Sequence, residues 1–112
     1  MDMSVMKQLK QHPANVIPHL KLSEAIRRGI PHVEECSSYD GCALGAAWYG
    51  MFGKELDCND RMRFMLTEGG FVGGIAGVMG YPVKLCEKIS AAHFRLEMTR
   101  EQCADYAEVH GW

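Results

Sequence analysis

Twelve glycines and four prolines cut these 112 residues into short segments whose apolar residues recur at helical rather than alternating spacing. Glycine and proline are the poorest helix formers, so clusters of them mark boundaries. His12-Pro13, Ile17-Pro18, Gly29 with Pro31, Gly50 with Gly53, Gly69-Gly70, Pro82 and Gly111 are such marks. Between them no run alternates β-branched and polar residues, because valine and isoleucine are sparse and isolated. The pattern predicts an all-α chain. We expect one compact, irregular helical bundle of about four to six helices over residues 22–112, preceded by a partly ordered arm over 1–21. A chain of this length suits one domain. With 47% hydrophobic and 23% charged residues, it has the composition of a folded protein, and at this size about two thirds of the unfolded chain's surface can be buried without disulfide or metal staples.

A short helix is expected over 4–11, followed by two pre-proline residues held extended. Ser23 stands where a cap belongs for a helix to Arg28, with Leu22, Ala25, Ile26 and Gly29 on one face. Pro31 opens a second short helix over 32–36, ahead of a turn at 37–41. From Cys42 the spacing of Leu44, Ala47, Trp48 and Met51 predicts the central buried helix, capped by Asp40 or Gly41 and ended by Gly50 and Gly53. Its small residues Ala43, Gly45, Ala46 and Ala47 allow close backbone approach. A helix from Asp57 or Asn59 to Thr67 would turn Met62, Met65 and Leu66 inward. Pro82 begins a helix whose buried face is Leu85, Cys86, Ile89, Ala92, His93 and Leu96. Thr99 and Gln102 form a capping box for the last helix, which carries Cys103, Tyr106, Ala107 and His110 on its apolar stripe and stops at Gly111. Leu44, Ala47, Trp48, Ile89 and Tyr106 are the expected core.

Residues 69–80 read GGFVGGIAGVMG. Glycine-rich loops bind phosphates when their spacing and context are right. Here there is neither a G-x-x-x-x-G-K-[ST] string nor G-x-G-x-x-G spacing, and no strand precedes. A loop or kinked helix packed on the core is expected, since glycine disfavours an isolated helix. Gly69, Gly73 and Gly77 are nonetheless four apart, so a helix here would offer a groove to a second helix. Together with eight methionines and Trp112, this suggests more apolar surface than one small core hides. Gly73, Gly77, Met79 and Trp112 are the candidate interface of a homo-oligomer, a symmetric dimer first.

A net charge of −2 and a pI near 6.2 provide no field for a polyanion, so nucleic acid is not the expected partner. The segment from Thr99 to Tyr106 has the look of the first helix of a helix-turn-helix. Such a reader needs a recognition helix, which is not expected past Gly111, and Asp105 and Glu108 have the wrong sign for phosphate. The start of the chain lacks a basic stretch followed by an apolar one, and 69–83 is too short and glycine-rich to cross a bilayer. No membrane contact and a cytoplasmic location are expected. Five cysteines, at 36, 42, 58, 86 and 103, form an odd set without a Cys-x-x-Cys pair, which argues against a disulfide framework.

Cys42 is the candidate reactive thiol, because a helix-start thiolate is stabilised by backbone N–H groups. His32 and Cys36 are four apart and place two metal-ligand types on one turn, although zinc wants three or four. No paired-carboxylate, G-x-S-x-G or H-E-x-x-H pattern is present, so no catalytic, metal or cofactor site is assigned.

Leu22-Ser23-Glu24-Ala25-Ile26-Arg27, then Gly41-Cys42-Ala43-Leu44-Gly45-Ala46-Ala47, then Ile89 and Thr99-Arg100-Glu101-Gln102 to Tyr106 resemble, in that order, a group of small bacterial and phage proteins of unknown function. These have a short helix, a "CALGA" helix and a closing T-R-E-Q helix. The likeness covers most of 22–106 and implies a single helical domain with this order of elements. It implies no activity. The leading expectation is therefore a non-catalytic protein-interaction or regulatory module that self-associates. The alternative is a thiol- or metal-dependent activity centred on Cys42 or on His32 and Cys36.

Overall fold

Glycine decides how the first two helices meet. A computed structural model describes residues 20–34 and 42–112. Of these, 72% are helical, in six α-helices and one 3-10 turn, with no strand among the described residues. The all-α expectation holds. The expected helix over 4–11, His12, His19, Cys36 and the Asp40 or Gly41 cap lie outside the described residues.

Helix α1 (Leu22–Gly29) buries Leu22, Ser23, Ala25, Ile26 and Gly29, the i, i+3, i+4, i+7 face with Ser23 added. Ser23 is not its cap. The N-cap is Lys21, whose side chain makes no capping bond, and the otherwise orphaned N–H of Ser23 donates to the Trp112 carbonyl at 2.7 Å. Glu24 in the first turn and Arg27 and Arg28 in the last complement the helix dipole. A 3-10 turn (Ile30–His32) replaces the helix expected over 32–36, and Val33 is already extended.

Helix α2 (Cys42–Phe52) carries no charged residue and is buried nearly all round: Ala43, Leu44, Ala46, Ala47, Trp48 and Met51 all belong to the core. Such a helix has to run through the interior. It crosses α1 by backbone contact. A Cβ on Gly29 would collide with the Ala46 carbonyl, and one on Gly50 with the Ala25 carbonyl. Gly50 therefore lies inside the helix as a contact residue, and Gly53, at φ 75°, follows its end. The indole Nε1 of Trp48 is buried without a hydrogen-bond partner.

Helix α3 (Cys58–Met65) starts from Asp57, whose carboxylate accepts the Asp60 N–H at 2.8 Å. Its register corrects the expectation from sequence. Phe64 faces inward, edge-on to Trp48 at 5.6 Å and to Phe71 at 6.3 Å. Positions 62 and 66 are each two residues away on a 3.6-residue period, so burying the large ring turns Met62 and Leu66 outward, with Met65 beside them. They are 63%, 83% and 64% exposed, in the order 62, 66, 65.

Helix α4 (Gly70–Met79) forms where a loop or kinked helix was expected, and it ends on Gly80 in the left-handed conformation at φ 83°. Packing outweighs glycine's poor propensity. Gly74 lies against the backbone and Cβ of Phe64, and Ile75, Ala76 and Met79 enter the core.

Helix α5 (Val83–Phe94), with Pro82 as N-cap, buries Cys86, Ile89, Ser90, Ala92 and His93. Leu96 is not on that face: past the helix end it adopts φ 63° and is 81% exposed. The capping box forms as expected. Thr99 Oγ1 accepts the Gln102 N–H at 3.1 Å, and Gln102 Oε1 accepts the Thr99 N–H at 2.8 Å. Helix α6 (Arg100–Val109) buries Arg100, Cys103, Ala104 and Ala107. Tyr106, expected in the core, is only partly buried and stacks against the exposed His110. α6 packs on α1, where Arg27 donates to Asp105 at 2.7 Å and to Glu108.

Candidate interaction surface

Helix α4 contains only glycine, alanine, methionine, valine, isoleucine and phenylalanine. A helix on the outside of a globule ordinarily carries polar residues on its outer face. This one has none to offer. Gly77 and Val78 are exposed, Val78 at 53%, and Gly73 is half-buried. A Cβ built on Gly73 or Gly77 would meet nothing within 4 Å, while Gly74, on the side toward α3, is closed by Phe64. The outer face of α4 is thus an open, uncharged strip beside one bulky apolar side chain.

Helix α3 adds Met62, Met65 and Leu66, which share one face at i, i+3, i+4. Unbranched thioethers suit a contact surface because they reshape to fit what meets them. The inward side of α3 is an aromatic anchor and the outward side is this triplet. On the same helix Arg63 is paired to Asp60 at 3.0 Å.

The four interface residues expected from sequence fall in two places. Gly73 and Gly77 lie on the outer side of α4. Met79, on the opposite side of the same helix, is 6% exposed and part of the core, because residue 79 shares the inward stripe of Ile75 and Ala76. Trp112 borders, with Met79, Met51 and Tyr81, a cavity of about 440 Å3. Its ring meets Tyr81 edge-on at 6.0 Å, and its backbone bonds to Ala107 and Ser23. Trp112 is therefore a clasp between α6 and α1. The exposure of Met62, Met65 and Leu66 escaped sequence reasoning, and the one signal for it was the neighbouring Phe64, a larger ring with a stronger claim to the interior.

The thiols are distributed unevenly. The backbone of Cys42 opens α2, but its side chain lies outside the described residues, as does Cys36. Cys86 and Cys103 are buried free thiols and Cys58 is exposed. Burial, helped by the Glu87 carboxylate, pushes Cys86 up to about 12, so this thiol stays protonated at neutral pH. Cys103 Sγ points to the Ile89 carbonyl at 3.8 Å. His93 is buried with Nδ1 2.9 Å from the Met98 carbonyl, and the His32 ring stacks on Tyr49 at 4.8 Å. Among the described residues no three His, Cys, Asp or Glu side chains gather where a metal ion would fit, and no helix is long and apolar enough to cross a membrane.

Comparison with known proteins returns no matching family model, no similar curated protein and no similar solved structure.

Proposed function

We propose that this chain is a non-catalytic interaction module that self-associates as a symmetric dimer through the outer face of α4, flanked by Met62, Met65 and Leu66 of α3. The observation that carries this reading is a ten-residue surface helix without a polar side chain, on which Gly73 and Gly77 face open space. A second copy is the occupant that suits the strip. A twofold axis brings a patch onto itself, and a helix with no charged residue meets its own copy without like-charge repulsion. Glycines already serve this purpose inside the fold, where Gly29 and Gly50 let α1 and α2 touch backbone to backbone. Stable interfaces bury about 800 Å2 per partner, and the exposed Met62, Met65, Leu66 and Val78 add apolar area on the two helices. Free thiols at Cys58, Cys86 and Cys103 support a reducing, cytoplasmic setting for the module.

Dilution followed by amide NMR tests this reading. Signals from residues 62–66 and 73–78 are expected to move together with concentration, while those of α1 and α6 stay still. Concentration-independent spectra would remove the reading, and movement confined to α1 and α6 would transfer it to another face.

A further inference from the structure

The chain has six arginines, at 27, 28, 61, 63, 95 and 100, and five have settled partners. Arg27 bridges Asp105 and Glu108, Arg63 pairs with Asp60 and Arg95 with Glu97. Arg100 donates to the Val33 carbonyl at 2.6 Å, and Arg61 is engaged too. Arg28 alone has no hydrogen-bond or ion-pair partner among the described residues. Arg28 lines a cleft of about 250 Å3 together with His32, Tyr49, Gly50 and Gly53.

The remaining walls have the character of a receptor for a small anion. The His32 and Tyr49 rings are stacked nearly parallel, 12° apart with centroids at 4.8 Å, and give one flat side. Gly50 and Gly53, which bring main chain and no side chain, complete the lining among the described residues. No carboxylate lines the cleft among the described residues. A guanidinium presents paired N–H donors in a fixed fork that matches a carboxylate or a phosphate. The volume lies just below the range of about 300–1,000 Å3 for ligand pockets, which limits the guest to about one ring and one acidic group.

We propose that this cleft binds a small organic oxyanion, a carboxylate or phosphate monoester, with Arg28 forking the oxyanion and the flat side of the stacked His32–Tyr49 pair against its apolar part. The site is independent of the outer face of α4, so either proposal survives the failure of the other.

Benzoate and phenyl phosphate are the probes, with neutral benzamide as control, read by the His32 ring signals in proton–carbon NMR. Either anion is expected to shift them saturably with a midpoint of about 1 mM or below, and Arg28→Gln to weaken that at least about tenfold. The tighter of the two anions names the oxyanion class. Arg28 also lies in the last turn of α1, where its charge favours the helix dipole. A purely structural role would lower the melting temperature of Arg28→Gln and leave the titration unchanged. Absence of a saturating shift with both anions, equal midpoints in Arg28→Gln and the unaltered chain, or equal binding of benzamide would each overturn the proposal.

Discussion

The α1, α2 and α6 side of the molecule and the α3–α4 hairpin use the same residue types to opposite ends. On the first side, Gly29 and Gly50 are closed by backbone of the same chain, and the outside is finished with charge, as where Arg27 spans Asp105 and Glu108. In the hairpin, Gly73 and Gly77 stand open, and the exposed side carries Met62, Met65, Leu66 and Val78 beside the Arg63–Asp60 pair. The hairpin's hold on the rest passes through the Phe64 ring against Trp48 and the inward stripe of Ile75, Ala76 and Met79. A glycine's meaning thus depends on what faces it. Closed glycines are packing, and open ones leave room for something else.

The most severe test of that contrast is a single methyl group. Gly50→Ala places a Cβ inside the Ala25 carbonyl, and such overpacking against backbone is expected to cost about 3 kcal/mol or more in urea unfolding. If the substitution proves harmless, the α1–α2 contact is not as close as described.

Phe64→Ala ranks next. Removing a buried phenylalanine costs about 3 kcal/mol, and here the loss should be local. Hydrogen exchange is expected to show α3 unprotected while α1, α2 and α6 keep their protection. Uniform loss across the molecule would mean that the hairpin is as firmly bound as the rest.

Phe64 also shows where the sequence was legible and where it was not. The all-α class, the capping chemistry at Thr99 and Gln102, and the buried stripes of α1 and α2 follow from spacing alone. The register of α3 did not, because Met62, Met65 and Leu66 make as good an apolar stripe as any, and only the shape of the Trp48 and Phe71 surface favours Phe64. Helicity of 70–79 was hidden for a related reason: local propensity opposes it, and the contacts that enforce it come from α3 and α5. The shared face of Gly73 and Gly77 follows from their spacing, whereas the inward position of Met79 required the helix phase.

Alkali probes the closed side. Burial raises Cys86, with Glu87 adding to it, and burial also raises the Tyr81 phenol, whose OH donates to the Leu20 carbonyl at 2.7 Å. An unfolded chain gives up these protons at lower pH than the folded one. Stability is therefore whole below the thiol's ordinary value of 9.0 and falls above it, toward about 12. The slope is about 1.4 kcal/mol per pH unit for each group that differs. Neither group lies in the hairpin, so loss from pH 9 upward is expected to be global. A stability that stays flat between pH 9 and 11 would contradict the burial of Cys86.

The smallest effect has the opposite sign. Gly77→Ala meets nothing within 4 Å and improves helix propensity, so in dilute solution it is expected to stabilise the chain by about 0.5–1 kcal/mol. Destabilisation there would mean that the face is already occupied within the single chain.

Sedimentation equilibrium of the unaltered chain and of Gly77→Glu, at tens of micromolar, tests most directly whether the open face of α4 is a contact surface. A mass near twice 12.5 kDa is expected for the unaltered chain and near 12.5 kDa once a carboxylate stands at position 77. A single-chain mass for the unaltered protein, or a double mass that survives Gly77→Glu, would contradict it.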